Sequence, residues 1–125
     1  MNAMDVLKLT AIGGQSNSEG FSVPLSGLIY KVRLVFSNNP GPQTDVTLSA
    51  ADDPPGEYIV DRKDIASNLT LYPRRAVQDA AGNPLTLDGT RPLCEPYAVH
   101  GQLKLSLQNA SLGGQCTAWV WLTRL

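Results

Sequence analysis

Apolar and polar positions alternate along most of this chain in short runs, and Gly, Pro, Asn and Asp separate one run from the next. A period of two sends successive side chains to opposite faces of a strand, so each run predicts a strand and each separation a turn. Val6 to Ile12 opens the series and stops at Gly13-Gly14. Phe21 to Leu25 reads as a short edge piece, because Pro24 has no N–H to give to a ladder. Over Leu28 to Phe36, alternation puts Leu28, Tyr30, Val32, Leu34 and Phe36 on one face and Lys31 and Arg33 on the other. Asn38-Asn39-Pro40-Gly41-Pro42 is a turn, Asp45 to Ala50 a strand with Val46 and Leu48 inward, and Asp52-Asp53-Pro54-Pro55-Gly56 a second turn.

Short strands are then predicted at Tyr58 to Asp61, Leu69 to Tyr72 and Leu85 to Leu87, with turn residues from Asp79 to Pro84 before the last. Tyr97 to Leu107 gathers Leu103, Leu105 and Leu107 on one face, and Gly101 inside it marks a bulge or bend. The closing strand, Cys116 to Leu125, puts Trp119 and Trp121 on one face and Ala118, Val120 and Leu122 on the other. Apolar groups on both faces predict a strand covered on both sides. About eight strands with near-regular turns give an all-β fold, a single jelly-roll-like antiparallel β-sandwich over residues 1–125. Residues 1–5 are expected to form a flexible N-terminal arm, and the Pro-rich stretches at 38–42 and 52–56 to be arms that reach neighbours. At 125 residues the chain is long enough for one unstapled core.

The formal net charge of −1 argues against a general nucleic-acid binder, which carries a basic excess. Local basic pairs stand at Arg62-Lys63 and Arg74-Arg75, and solvated strand-end charge is the plainer reading of both. No apolar run approaches the ~20 residues that span a bilayer, so no membrane partner is expected. The first residues are neither basic nor apolar enough for a secretory signal, and synthesis in a cytoplasm is the expectation. Cys94 and Cys116, the two cysteines, are then read as free thiols, with a single bridge between them left open.

Chemistry is hard to find. His100, the one histidine, lies in a strand before Gly101 and reads as a packed or edge residue, not a general base. Asp52, Asp53, Glu57, Asp61 and Asp64 match no calcium loop, and nothing selects two of them as a glycosidase pair. Gly13-Gly14 and Gly113-Gly114 open no helix and are followed by no Lys-Ser/Thr, so they are turns and not phosphate loops. No catalytic residue, metal or cofactor is expected. The aromatic residues Trp119 and Trp121 leave two readings open, a packed contact in the core or between subunits, or a platform for one sugar.

The chain resembles the decoration (cement) proteins of tailed-bacteriophage heads. The resemblance rests on Tyr30-Lys31-Val32-Arg33-Leu34-Val35-Phe36-Ser37-Asn38, on Asp45-Val46-Thr47-Leu48, and on Tyr72-Pro73-Arg74-Arg75 with Asp79-Ala80-Ala81-Gly82. It extends to Gly101-Gln102-Leu103-Lys104-Leu105 before a Gly-rich turn and a final aliphatic strand. It implies a non-enzymatic virion protein with a jelly-roll-like fold, bound to the major capsid protein on the outside of the shell as a homo-oligomer. A homotrimer is favoured, with a dimer as the alternative. Arg74 and Arg75 are the candidate contacts to acidic groups of the shell, and Trp119 and Trp121 candidate contacts between subunits. The alternative function is a carbohydrate-binding β-sandwich, free-standing or on a phage tail, with the tryptophans as its platform.

Overall fold

A computed structural model describes residues 4–14, 18–54 and 56–124, and among them it forms two facing antiparallel sheets and a small third one. The first sheet places β1 (Met4–Ile12) beside β11 (Gln115–Arg124), and β11 beside β3 (Leu25–Ser37). Two short strands share the far edge of β3: β9 (Tyr97–Gly101) pairs with Leu25–Ile29, and β6 (Leu69–Leu71) with Val32–Leu34. The second sheet runs in the order β2 (Ser18–Phe21), β10 (Leu103–Gln108), β4 (Asp45–Ala50) and β5 (Val60–Arg62). Strands β7 (Arg75–Ala76) and β8 (Cys94–Glu95) pair outside both sheets. The fold is an all-β sandwich, with nine strands in its two layers where the sequence pattern predicts about eight in all.

The core lies between the layers and follows the predicted alternation. Leu103, Leu105 and Leu107 of β10 are at most 1% exposed, with Val46 and Leu48 of β4 beside them. They face Ile29, Val32 and Leu34 of β3, Leu9 of β1, and Cys116, Ala118, Val120 and Leu122 of β11. Each large aliphatic side chain so buried contributes about 1.5–3 kcal/mol of transfer free energy. Gly101 has φ 98°, a left-handed backbone angle that side chains resist, and there the chain leaves β9 in one sheet and enters β10 in the other. At Gly20, a Cβ would strike the carbonyl of Thr10, so β2 crosses close beside β1 only because that position has no side chain.

Three expectations need correction. The alternation of β3 breaks at Tyr30: Trp121 sits opposite Lys31 and Leu122 opposite Ile29, so Tyr30 is an extra, bulged residue. The inward residues are therefore Ile29 and Val32, both fully buried, and Tyr30 joins Lys31 on the outer face while Leu28 also turns outward. The stretch 38–42 is no arm. Pro40 is buried, its carbonyl accepts from Thr44 Oγ1 and from the Ser111 N–H, and the loop is folded back onto the turn before β11. Of the expected N-terminal arm, residues 1–3 lie outside the described residues, whereas Met4 and Asp5 are paired with Thr123 and Leu122 within the sheet. The other proposed arm, 52–56, is exposed at its described positions.

Candidate interaction surfaces

The outer face of the first sheet is set by the register of its central strands. Trp119 lies between Lys8 and Arg33, and Trp121 between Val6 and Lys31. Lys8 Nζ stands 5.2 Å from the centre of the Trp119 ring, and Lys31 Nζ 4.6 Å from that of Trp121. Lys31 also approaches Tyr72, at 6.0 Å, and the Arg74 guanidinium lies 5.8 Å from the Tyr30 ring centre. Arg33 donates to Thr70 Oγ1 at 2.8 Å. Both tryptophans are half-buried, with Lys8 and Lys31 over their rings. The strand is thus fully buried on its Ala118 face and only half-buried on its tryptophan face, not equally covered on both sides. The core reading of the tryptophans falls with it, because the alanine, valine and leucine face supplies the core.

No Asp or Glu occupies an outward strand position on this sheet. From β1 to β9 the outward residues are apolar, hydroxyl-bearing, amide, aromatic or basic. The opposite sheet differs: its outer surface mixes Glu19, Asp45 and Asp61 with Lys63 and Lys104, and Lys104 Nζ lies 3.8 Å from Glu19. A modest overall charge therefore conceals one cation-rich face.

The two adjacent arginines separate. Arg74 donates to the Tyr30 and Pro73 carbonyls and belongs to the outer face. Arg75 lies 3.8 Å from Glu95 across β7–β8 and lines a cleft of about 310 Å³ with Asp53, Glu57, Tyr58 and Tyr97. Arg74 stands just before β7 and Arg75 opens it, and the two side chains take different partners.

Between β7 and β8 the chain builds a projection that the alternation pattern does not reveal. The Val77 N–H donates to the Leu93 carbonyl at 2.8 Å, Leu93 to Leu85 at 3.0 Å, and Leu85 to Val77 at 2.8 Å. These three residues, each eight positions from the next, close a ring of backbone hydrogen bonds. Two tight leaves hang from the ring. In one, Asp79 Oδ1 accepts from the Ala81 and Asn83 N–H groups, each at 2.9 Å. In the other, Asp88 Oδ1 accepts from Thr90 and Arg91 N–H, while Arg91 Nε donates to Asp88 Oδ2 at 2.8 Å. Accepting those bonds favours the carboxylate, so Asp79 is held below the usual range and Asp88 is lowered to about 2. All of residues 78–95 are exposed, Leu87 at 66% and Leu85 and Leu93 at 40% each. The signal for this knob was the repeated Pro-Leu ending of each leaf, Pro84-Leu85 and Pro92-Leu93, at that eight-residue spacing.

The remaining candidates stay apart. His100 Nδ1 is 2.7 Å from Ser26 Oγ on neighbouring strands, and no carboxylate on that face orients the ring. Among the described residues no group of three or more His, Cys, Asp and Glu is placed to hold a metal. Cys94 is exposed on β8 and Cys116 buried in β11, and both are free. Burial pushes the Cys116 thiol up to about 12.

No protein-family model matches the chain, and no curated protein matches it. Among solved structures, the crystal structure of FLHE superposes with a TM-score of 0.47 at 11% sequence identity, covering 98% of this chain and 98% of that one.

Proposed function

We propose that this chain is a non-enzymatic structural protein of a tailed-phage virion that docks on the outside of the capsid as a homo-oligomer, with the knob at residues 78–95 as its docking element. The observation that carries the reading is that knob. Every residue of it is exposed, yet its backbone is tied internally by the Val77–Leu93–Leu85 ring and by two Asp-capped turns. A projection already ordered before contact loses little conformational freedom on binding. Its three exposed leucines offer apolar area to a partner, and a partner gained only in the assembled shell stabilises the shell and not its free parts. The resemblance to decoration proteins points to the same region, since Tyr72-Pro73-Arg74-Arg75 leads into the knob and Asp79-Ala80-Ala81-Gly82 forms its first turn.

The test is occupancy on capsids assembled without this protein. Wild-type protein is expected to saturate them, and the variant Leu85→Ser plus Leu87→Ser to lose at least 10-fold in affinity with its β-sheet circular dichroism unchanged. Unchanged binding of that variant would remove the knob from the contact. Failure of the wild-type protein to bind would remove the virion reading. Arg75→Ala, at the base of the knob, is expected to weaken docking less than the leucine changes.

A further inference from the structure

We propose that the outer face of the first sheet is a binding site for an acidic polysaccharide, separate from the knob. The face combines two kinds of group that such a ligand requires. The indoles of Trp119 and Trp121 stand two residues apart on one strand, roughly 6–7 Å from one another along it, and both are half-buried on the outer face. The C–H-bearing face of a pyranose packs on such rings. Around them stand four cations, Lys8, Lys31, Arg33 and Arg74, with no carboxylate at any outward strand position.

Among the described residues no ion pair engages these cations: Lys8 stands over Trp119, Lys31 over Trp121 and Tyr72, Arg74 beside Tyr30 with hydrogen bonds to the Tyr30 and Pro73 carbonyls, and Arg33 on Thr70. A cation over an exposed ring gains only about 0.5–1 kcal/mol, whereas a hydrogen bond to a charged group is worth about 1.5–3 kcal/mol. A uronate or sulfate arriving at this face therefore draws the lysine ammonium off the ring onto itself. The same movement frees the indole for the sugar. Charge and stacking are coupled, so a neutral glycan gains only the ring contact and must displace the cation without replacing it.

The choice of an acidic glycan over single-stranded nucleic acid rests on the virion reading, since a protein on the capsid exterior meets envelope polysaccharide and not packaged DNA.

Purified wild-type protein would be run through native gels containing polygalacturonate, dextran or no polymer, in 150 mM NaCl, with a twelve-residue oligothymidylate in a parallel titration. Polygalacturonate is expected to retard it and dextran to leave it unretarded. Trp119→Ala with Trp121→Ala should reduce retention at least 10-fold. Lys31→Ala with Arg33→Ala, which changes outer-face positions and spares the core, should do the same with the β-sheet circular dichroism unchanged. No retention by polygalacturonate, retention indifferent to both variants, or tighter binding of the oligothymidylate would each overturn the assignment. Capsid occupancy and glycan retention of the wild-type protein separate the two proposals: retention with no capsid binding would end the virion reading and keep this site, and capsid binding without retention the reverse.

Discussion

Lys31 Nζ lies 4.6 Å from the centre of the Trp121 ring, and the two residues are directly paired across β3 and β11. That pairing continues the register of Trp119 with Arg33, and the bulge at Tyr30 falls just beyond it, so that Ile29 and not Tyr30 meets Leu122. Lys31→Ala is expected to cost about 0.5–1 kcal/mol of stability and to alter tryptophan emission. A double-mutant cycle with Trp121→Leu measures the coupling, and a coupling of zero would mean the ammonium does not engage the ring.

The core and the knob should respond oppositely to truncation. Leu105, fully buried in β10, is expected to lose about 2–5 kcal/mol on Leu105→Ala, because its cavity cannot close between two sheets. Leu87→Ser on the knob should stay within about 0.5 kcal/mol. Urea unfolding of both variants checks the contrast; a large loss at Leu87 would show that the knob packs on something within the chain.

The two thiols should differ in reactivity. Cys94 is exposed, whereas burial drives Cys116 to about 12 and leaves almost no thiolate at neutral pH. A chromogenic disulfide reagent is expected to titrate one thiol in the native protein and two in denaturant. Two fast-reacting thiols in the native state would contradict the burial of β11.

Acid should loosen the knob before the sandwich. Asp88 has a folded value of about 2 against 3.8 for the free side chain, so its carboxylate favours the folded turn fully above the free value. That contribution is lost as pH falls from about 4 toward 2, when the carboxylate protonates and releases the Thr90 and Arg91 amides. The protection factors of the Thr90 and Arg91 amides, measured against their intrinsic exchange rates, should therefore fall on acidification ahead of those in β10, and Asp88→Asn should remove the pH dependence of that protection.

Self-association follows from the virion reading. Light scattering over a range of concentrations is expected to give a trimer, with a dimer the next closed arrangement. A strict monomer at every concentration would leave the sheet face, not an oligomeric shell contact, as the working surface.

The sequence by itself determined where the long strands lie and which side of most of them is buried; it did not show β7 or β8, and its strand at Leu85 to Leu87 is part of the knob. In β4, β10 and β11 the alternation is local and unbroken, so Val46 and Leu48, the three leucines of β10, and Ala118, Val120 and Leu122 were readable as core. Trp119, Trp121 and Arg74 were legible as surface candidates because they are large or basic and stand apart from that core pattern. Tertiary structure decided the rest. Whether Tyr30 follows the alternation depends on the strand opposite, since a bulge is a mismatch between two partners. The cations over the tryptophans come from β1 and β3, distant in sequence and aligned only by sheet register. Arg74 and Arg75, adjacent in the chain, take partners as far apart in sequence as Tyr30 and Glu95. The knob depends on backbone bonds among Val77, Leu85 and Leu93. Such bonds join N–H and C=O groups that nearly every residue possesses, so side-chain pattern alone does not announce them.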